Sequence, residues 1–140
     1  MTSPNVAVSD YFRKLVSDVP AGIDRNISAI MLEHVGAENA ITLREMEAQL
    51  RPFYPESEVK DLGRKIRLGI QRLRDRQFII ASSAGNDAGY FLPLNRLEFN
   101  YFIDREIDSR IQSLTIIKHK LVRAADKTYG PAYQEGLFNG

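Results

Sequence analysis

Six cations crowd into residues 64–76: Arg64, Lys65, Arg67, Arg72, Arg74 and Arg76, against one acid, Asp75. That segment carries net +5 in a chain whose formal charge is only +1. Guanidinium groups are planar, forked donors that match phosphate oxygens and the acceptor edge of guanine. The chemistry such a cluster offers is the binding of an anion. Residues 24–50 have the opposite bias, with Asp24, Glu33, Glu38, Glu45 and Glu47 against Arg25 and Arg44. A basic patch on a near-neutral chain implies a localised anionic partner.

No residues are spaced for catalysis or metal binding. His34 and His119 are the only histidines, far apart, with no carboxylate at ligand spacing. His34 is expected near a helix C-terminus, where positive charge is favourable. The chain has no cysteine, which excludes disulfides and thiolate metal sites. Glu45 and Glu47, like Glu106 and Asp108, are two apart, so on helices they point away from each other. There is no nucleophile elbow, phosphate-binding loop or dinucleotide fingerprint. The expectation is a protein that is not an enzyme, with no cofactor, no metal and no small-molecule substrate. No apolar run approaches the roughly 18 residues of a membrane span. The first residues lack the pattern of a secretory signal. A cytoplasmic protein with no membrane partner is expected.

The cations need an element to present them. Val59, Leu62, Ile66, Ile70 and Leu73 are spaced 3, 4, 4 and 3, which aligns them on one side of a helix. Lys60, Arg64, Arg67 and Gln71 fall together on the other side. The helix is expected to start at Ser57 or Asp61. Upstream, Ser9 caps a short helix over Asp10–Val19, which Pro20 and Gly22 end. Asp24 caps a helix over about 25–35, stopped by Gly36. Ile41 reads as extended. Thr42 and Glu45 have capping-box spacing ahead of Leu43, Met46 and Leu50. Pro52 and Pro55 end that helix, and Phe53 and Tyr54 plug the core or form a surface patch. Phe78–Ser82 and Tyr90–Leu92 read as strands around a Gly-bearing turn. Asn95 to about Lys127 has neither Pro nor Gly and reads as one long helix.

This order of elements resembles the winged helix-turn-helix domain. More narrowly, it is similar to a variety common in phage and prophage proteins. The residues that carry the likeness are Arg64, Arg67, Ile70, Leu73 and Arg74 in the third helix, then Gly89, Tyr90, Phe91, Leu92 and Pro93 in the returning strand. The likeness covers residues 24–93. It implies a mainly α fold with a small β-hairpin wing, the winged helix-turn-helix, followed by a long C-terminal helix. It implies binding of double-stranded DNA by the third helix, in a transcriptional regulator or a phage or prophage DNA-processing factor. The groove-facing candidates are Arg64, Lys65 and Arg67, with Lys60 at the entry and Gln71 further along. Arg44 and the N–H groups near Thr42 are candidates for the DNA backbone. Arg72, Arg74 and Arg76 pair with acids or approach phosphates near the wing. The wing tip lacks Lys and Arg, so Ser83 and Asn86 are its candidates for a phosphate. The alternative is a winged helix that binds protein, or a phage assembly part, without DNA.

The expected organisation is a tail and short helix over 1–23, the winged domain over 24–94, a long helix over 95–128 and a flexible tail over 129–140. From Ile107 through Ile111 and Leu114 to Leu121 the steps are 4, 3 and 7, the repeat of a coiled-coil seam. Ile103, Ile107, Ile111, Leu114 and Leu121 are therefore the candidates for a homodimer seam. Tyr101, Phe102 and Ile116 lie off it and imply a second contact.

Overall fold

A computed structural model describes residues 4–83 and 88–131, with side chains from Asp10 onward. The chain is mostly helical, with one small antiparallel hairpin and a long C-terminal helix. It divides into two units at Ile103/Asp104.

The first unit begins with α1, Pro4–Asp18. This helix starts earlier than Ser9 implies, because Pro at the first position already has helical φ and needs no N–H partner. Next comes α2, Ile23–Met31, with Gly22 at its N-cap. Asp24 is thus inside the first turn. The helix also ends well before Gly36: Leu32, Glu33 and His34 take tighter three-residue bonds to Ala29, Ile30 and Met31. A 3-10 turn, Ala37–Asn39, leads to Ile41 and then to α3, Leu43–Leu50. The capping box forms as the spacing predicts. The Thr42 hydroxyl accepts from the Glu45 N–H at 3.1 Å, and the Glu45 carboxylate accepts from the Thr42 N–H at 3.3 Å.

After α3 the two prolines break the chain into a 3-10 turn, Arg51–Phe53, and a single helical turn α4, Glu56–Val59. Asp61 has φ 61°, in the left-handed region, so the chain reverses there before α5, Leu62–Asp75. Val59 and Lys60 therefore precede the third core helix instead of belonging to it. Phe53 is exposed, while Tyr54 is half-buried against the core.

The hairpin is shorter than the apolar runs suggest. Strand β1 is Ala81–Ser82 and β2 is Tyr90–Phe91, paired Ala81 to Phe91 and Ser82 to Tyr90. Gln77, with φ 68°, and the bond from the Phe78 N–H to the Leu73 carbonyl turn Phe78–Ile80 back under α5. Those three residues spend their apolar side chains in the core and stay out of the ladder. Ile41 pairs with the other edge of β2 through two 2.8 Å bonds to Tyr90. Gly89 is required at that approach, since a Cβ there would lie 2.9 Å from the Ile41 carbonyl oxygen. Helix α6, Arg96–Phe102, closes the unit.

One core joins these elements. Phe12, Ile27, Met31, Ile41, Met46, Leu50, Leu62, Ile66, Ile70, Leu73, Phe78, Ile80 and Leu92 are all buried. Helices α2 and α5 approach closely at Gly69. A Cβ added there would lie 2.7 Å from Ile27 Cδ1 and 2.9 Å from Asp24 Oδ1. Ile27 has no room to yield, because it is itself fully buried. Gly69→Ala is therefore expected to cost about 1–3 kcal/mol, overriding the ~1 kcal/mol helix preference of alanine. At Gly63 only the end of the Glu47 side chain stands in the way. Gly63→Ala is expected to be neutral or to gain up to about 1 kcal/mol. Urea titrations of the two variants check the contrast.

A π-helical stretch, Ile103–Asp108, starts on the last residue of the first unit and leads in the second into α7, Ser109–Tyr129. The run of helix is thus not uniform. A wide turn adds a residue to the repeat, so the 3.6-residue spacing does not run unbroken through this stretch. The helix ends at Gly130, φ 87°, after Tyr129, one residue into the expected tail. No residue of α7 is buried.

Candidate nucleic-acid interface

Helix α5 has two sides of different chemistry. Leu62, Ile66, Gly69, Ile70 and Leu73 are buried against α2 and α3. Arg64, Arg67 and Gln71 are exposed on the other side, within about 60° of one another at 100° per residue. None of the three makes a hydrogen bond or ion pair among the described residues. The sequence shows this division because burial of one stripe forces the rest outward.

Three of the other four cations of 64–76, Lys65, Arg72 and Arg74, are used within the fold. Arg72 forms a two-pronged pair with Asp24, Nε to Oδ2 at 2.8 Å and Nη2 to Oδ1 at 2.9 Å. The hydrogen bond to Asp24 raises the Arg72 pKa above its ordinary value, with burial opposing it. The Arg72 side chain is about half exposed, so the pair is worth at most about 1 kcal/mol. Its geometric role is to clip α5 to the first turn of α2. Arg74 donates from Nε to the Ile80 carbonyl at 2.9 Å and lies 5.8 Å from the centre of the Phe102 ring. Phe102 is thereby covered within its own unit, while Tyr101 is exposed. Lys65, expected to face the groove, is exposed but donates to the Glu58 carbonyl at 2.8 Å. That acceptor exists only because the prolines fold the chain into α4. Arg76 is exposed at the end of α5.

Lys60 is exposed on the extended residue between α4 and Asp61. Arg44 is exposed in the first turn of α3. The start of α5 lies against this helix, where Gly63 faces Glu47 and Leu43. The N–H groups of Thr42 and Glu45 are consumed by the capping box and are not open to a phosphate. Ser83 is likewise occupied. Its hydroxyl accepts from the Gly89 N–H at 3.1 Å, and its own N–H donates to the Gly89 carbonyl at 2.9 Å. It closes the hairpin. Asn86 lies outside the described residues.

Two features were not visible in the sequence. Leu68 is exposed on the outer side of α5, between the cations in sequence. Beside it is a groove of 270 Å³ lined by Ile23, Tyr54, Glu58, Leu62, Lys65 and Leu68, among others. Asn26 donates to the Tyr54 hydroxyl at 3.2 Å and holds one wall. Nothing in the apolar spacing marks Leu68, because it is off the stripe. His34 lies beyond the end of α2, with Nδ1 bonded to the Asn39 carbonyl at 2.7 Å. No group of three or more His, Asp or Glu is placed to hold a metal among the described residues. No helix there is long and apolar enough to cross a membrane.

The seam residues of the second unit are uncovered: Ile111, Leu114 and Leu121 are 56%, 66% and 64% exposed. Ile107 is half-buried, as is Ile103 at the end of the first unit. The chain matches no protein-family model, no curated protein and no solved structure.

Proposed function

We propose that the chain is a winged helix-turn-helix protein of phage or prophage type. It binds double-stranded DNA through the outer side of α5, as a homodimer joined by α7. The observation that carries this reading is the set Arg64, Arg67 and Gln71, exposed, uncommitted and opposite a fully buried stripe. An α-helix fits the major groove, where arginine bonds guanine O6 and N7 and glutamine bonds adenine N6 and N7. Arg64 and Arg67 are in the N-terminal half of α5, the half that meets base edges in helix-turn-helix docking. Lys60 and Arg44, on the elements next to the start of α5, contact phosphates and set the register. Lys65 acts as a latch to α4 and supplies charge at the rim. The hairpin contributes shape and no cation. The biological role is that of a transcriptional regulator or a phage or prophage DNA-processing factor in the cytoplasm.

The test is anisotropy titration of a mixed-sequence labelled duplex. Affinity is expected to fall about tenfold or more between about 50 and 200 mM salt, because each phosphate contact releases counterions. No detectable binding at the lower salt overturns the DNA reading. The second reading is then a protein-docking module. Leu68 and the apolar groove beside it favour that reading, as an exposed leucine on an arginine-rich helix adds nothing to phosphate binding.

A further inference from the structure

We propose that the helix from Asp104 to Tyr129 pairs with a second copy of itself in antiparallel orientation. The proposal rests on the homodimer reading and adds its direction. Ile111, Leu114, Ile117, Leu121, Val122 and Tyr129 are all exposed. At 100° per residue they form one stripe roughly 140° wide. An apolar row of this extent needs a cover.

Two independent features choose the occupant and its direction. The first is charge. The stretch 104–108 holds Asp104, Glu106 and Asp108 against Arg105, net −2. The stretch 118–127 holds Lys118, Lys120, Arg123 and Lys127 against Asp126, net +3. Paired helices lie about 8–10 Å apart, comparable to the Debye length in physiological salt, so these clusters feel each other. Parallel pairing sets +3 beside +3. Antiparallel pairing in the register below separates the like clusters: it sets 104–108 of each copy along 124–128 of the other, where Asp126 and Lys127 cancel and Arg123 is one residue away, and it also opposes the helix dipoles. Like clusters are thus kept apart in one direction only.

The second feature is Lys118, which falls in the seam. In heptad terms Ile111, Lys118 and Ala125 take one core position, and Ile107, Leu114 and Leu121 the other. In a parallel pair each core residue meets its own counterpart, so two ammonium groups would share one layer. In an antiparallel pair the two positions alternate across the seam. Lys118 then meets Leu114 of the second copy, with its stem packed and its charge in water. The other layers are Ile107 with Ala125 and Ile111 with Leu121.

The chain has no cysteine, so introduced thiols report alone. Ile107→Cys and Ala125→Cys are prepared singly and mixed as the full chain. Mass by light scattering is read first, then disulfide formation under mild oxidant. In the antiparallel pair residues 107 and 125 of the two copies face each other. Two copies of residue 107 are about 27 Å apart along the helix, far beyond the ~7 Å Cα limit of a disulfide. The expected result is a dimer that crosslinks as the mixed 107–125 pair and not within either single variant. A dimer that crosslinks as 107–107 and 125–125 overturns the direction and leaves the homodimer standing. A monomer, in these variants and in the parent chain, overturns both. A dimer that crosslinks in neither way has its interface elsewhere and overturns both the direction and the α7 seam. Lys118→Leu is expected to tighten the dimer of the parent chain by tenfold or so and, when added to both cysteine variants, to reduce the preference for the mixed crosslink, as removal of a polar core residue does.

Discussion

The double replacement Arg64→Ala, Arg67→Ala is expected to weaken duplex binding by about 30-fold or more with almost no change in stability. Each arginine that meets a phosphate or a base edge is worth about 1–3 kcal/mol, and 1.4 kcal/mol is tenfold in affinity. Both side chains are exposed and make no bond within the described fold, so their loss removes nothing the core needs. Exposed substitutions of this kind stay within about 0.5 kcal/mol in stability. Arg72→Ala is the matched control. It removes the same charge from the same helix but breaks the clip to Asp24, so its signature is a modest stability loss with a smaller effect on binding. If the double variant binds as well as the parent, α5 is not the contact element. If it loses stability in proportion, the two arginines are structural.

Phe78→Ala is expected to cost about 3–5 kcal/mol, the range for deleting a buried aromatic ring. The ring is 1% exposed and lies 5.1 Å, centre to centre, from Phe12 of α1. The Phe78 N–H bonds the Leu73 carbonyl at the end of α5. The residue therefore anchors the turn by which the chain leaves α5 for the hairpin. A domain stable by about 5–15 kcal/mol loses much of its margin with this one change. Urea unfolding followed by circular dichroism measures it. A shift below 1 kcal/mol would show that α1 does not pack there in solution.

Legibility in the sequence followed the range of the forces involved. The capping box at Thr42 and Glu45 and the buried stripe of α5 depend on neighbours three or four residues apart, and both were readable. The extended setting of Ile41 was readable too, because polar and turn residues frame it. Features that depend on distant partners were not. Lys65 finds the Glu58 carbonyl only after the chain doubles back through α4. Phe78, Ile79 and Ile80 have the composition of a strand, yet the left-handed residue Gln77 diverts them into the core. The π turn at Ile103–Asp108 has no signature in a run that lacks Pro and Gly. Of the site, the position of the cations was legible. Pairing of Arg72 with an acid was one of the two options the sequence offered, but the bonds of Lys65 and Arg74 were not legible: they require knowing where Glu58 and Ile80 end up.

The clips at Arg72 and Arg74 also bear on the entropy of binding. Helix α5 is fixed on its inner side by packing and in its last turn by Asp24 and the Ile80 carbonyl. A ligand that docks on the outer side finds a backbone that is already ordered. What remains to be immobilised is the rotamer freedom of Arg64, Arg67 and Gln71, about 1.5–2 kcal/mol for each fully fixed side chain. A ligand on that side would meet a preformed template, and the heat-capacity change on its association is expected to be small, since little apolar surface would be removed from water.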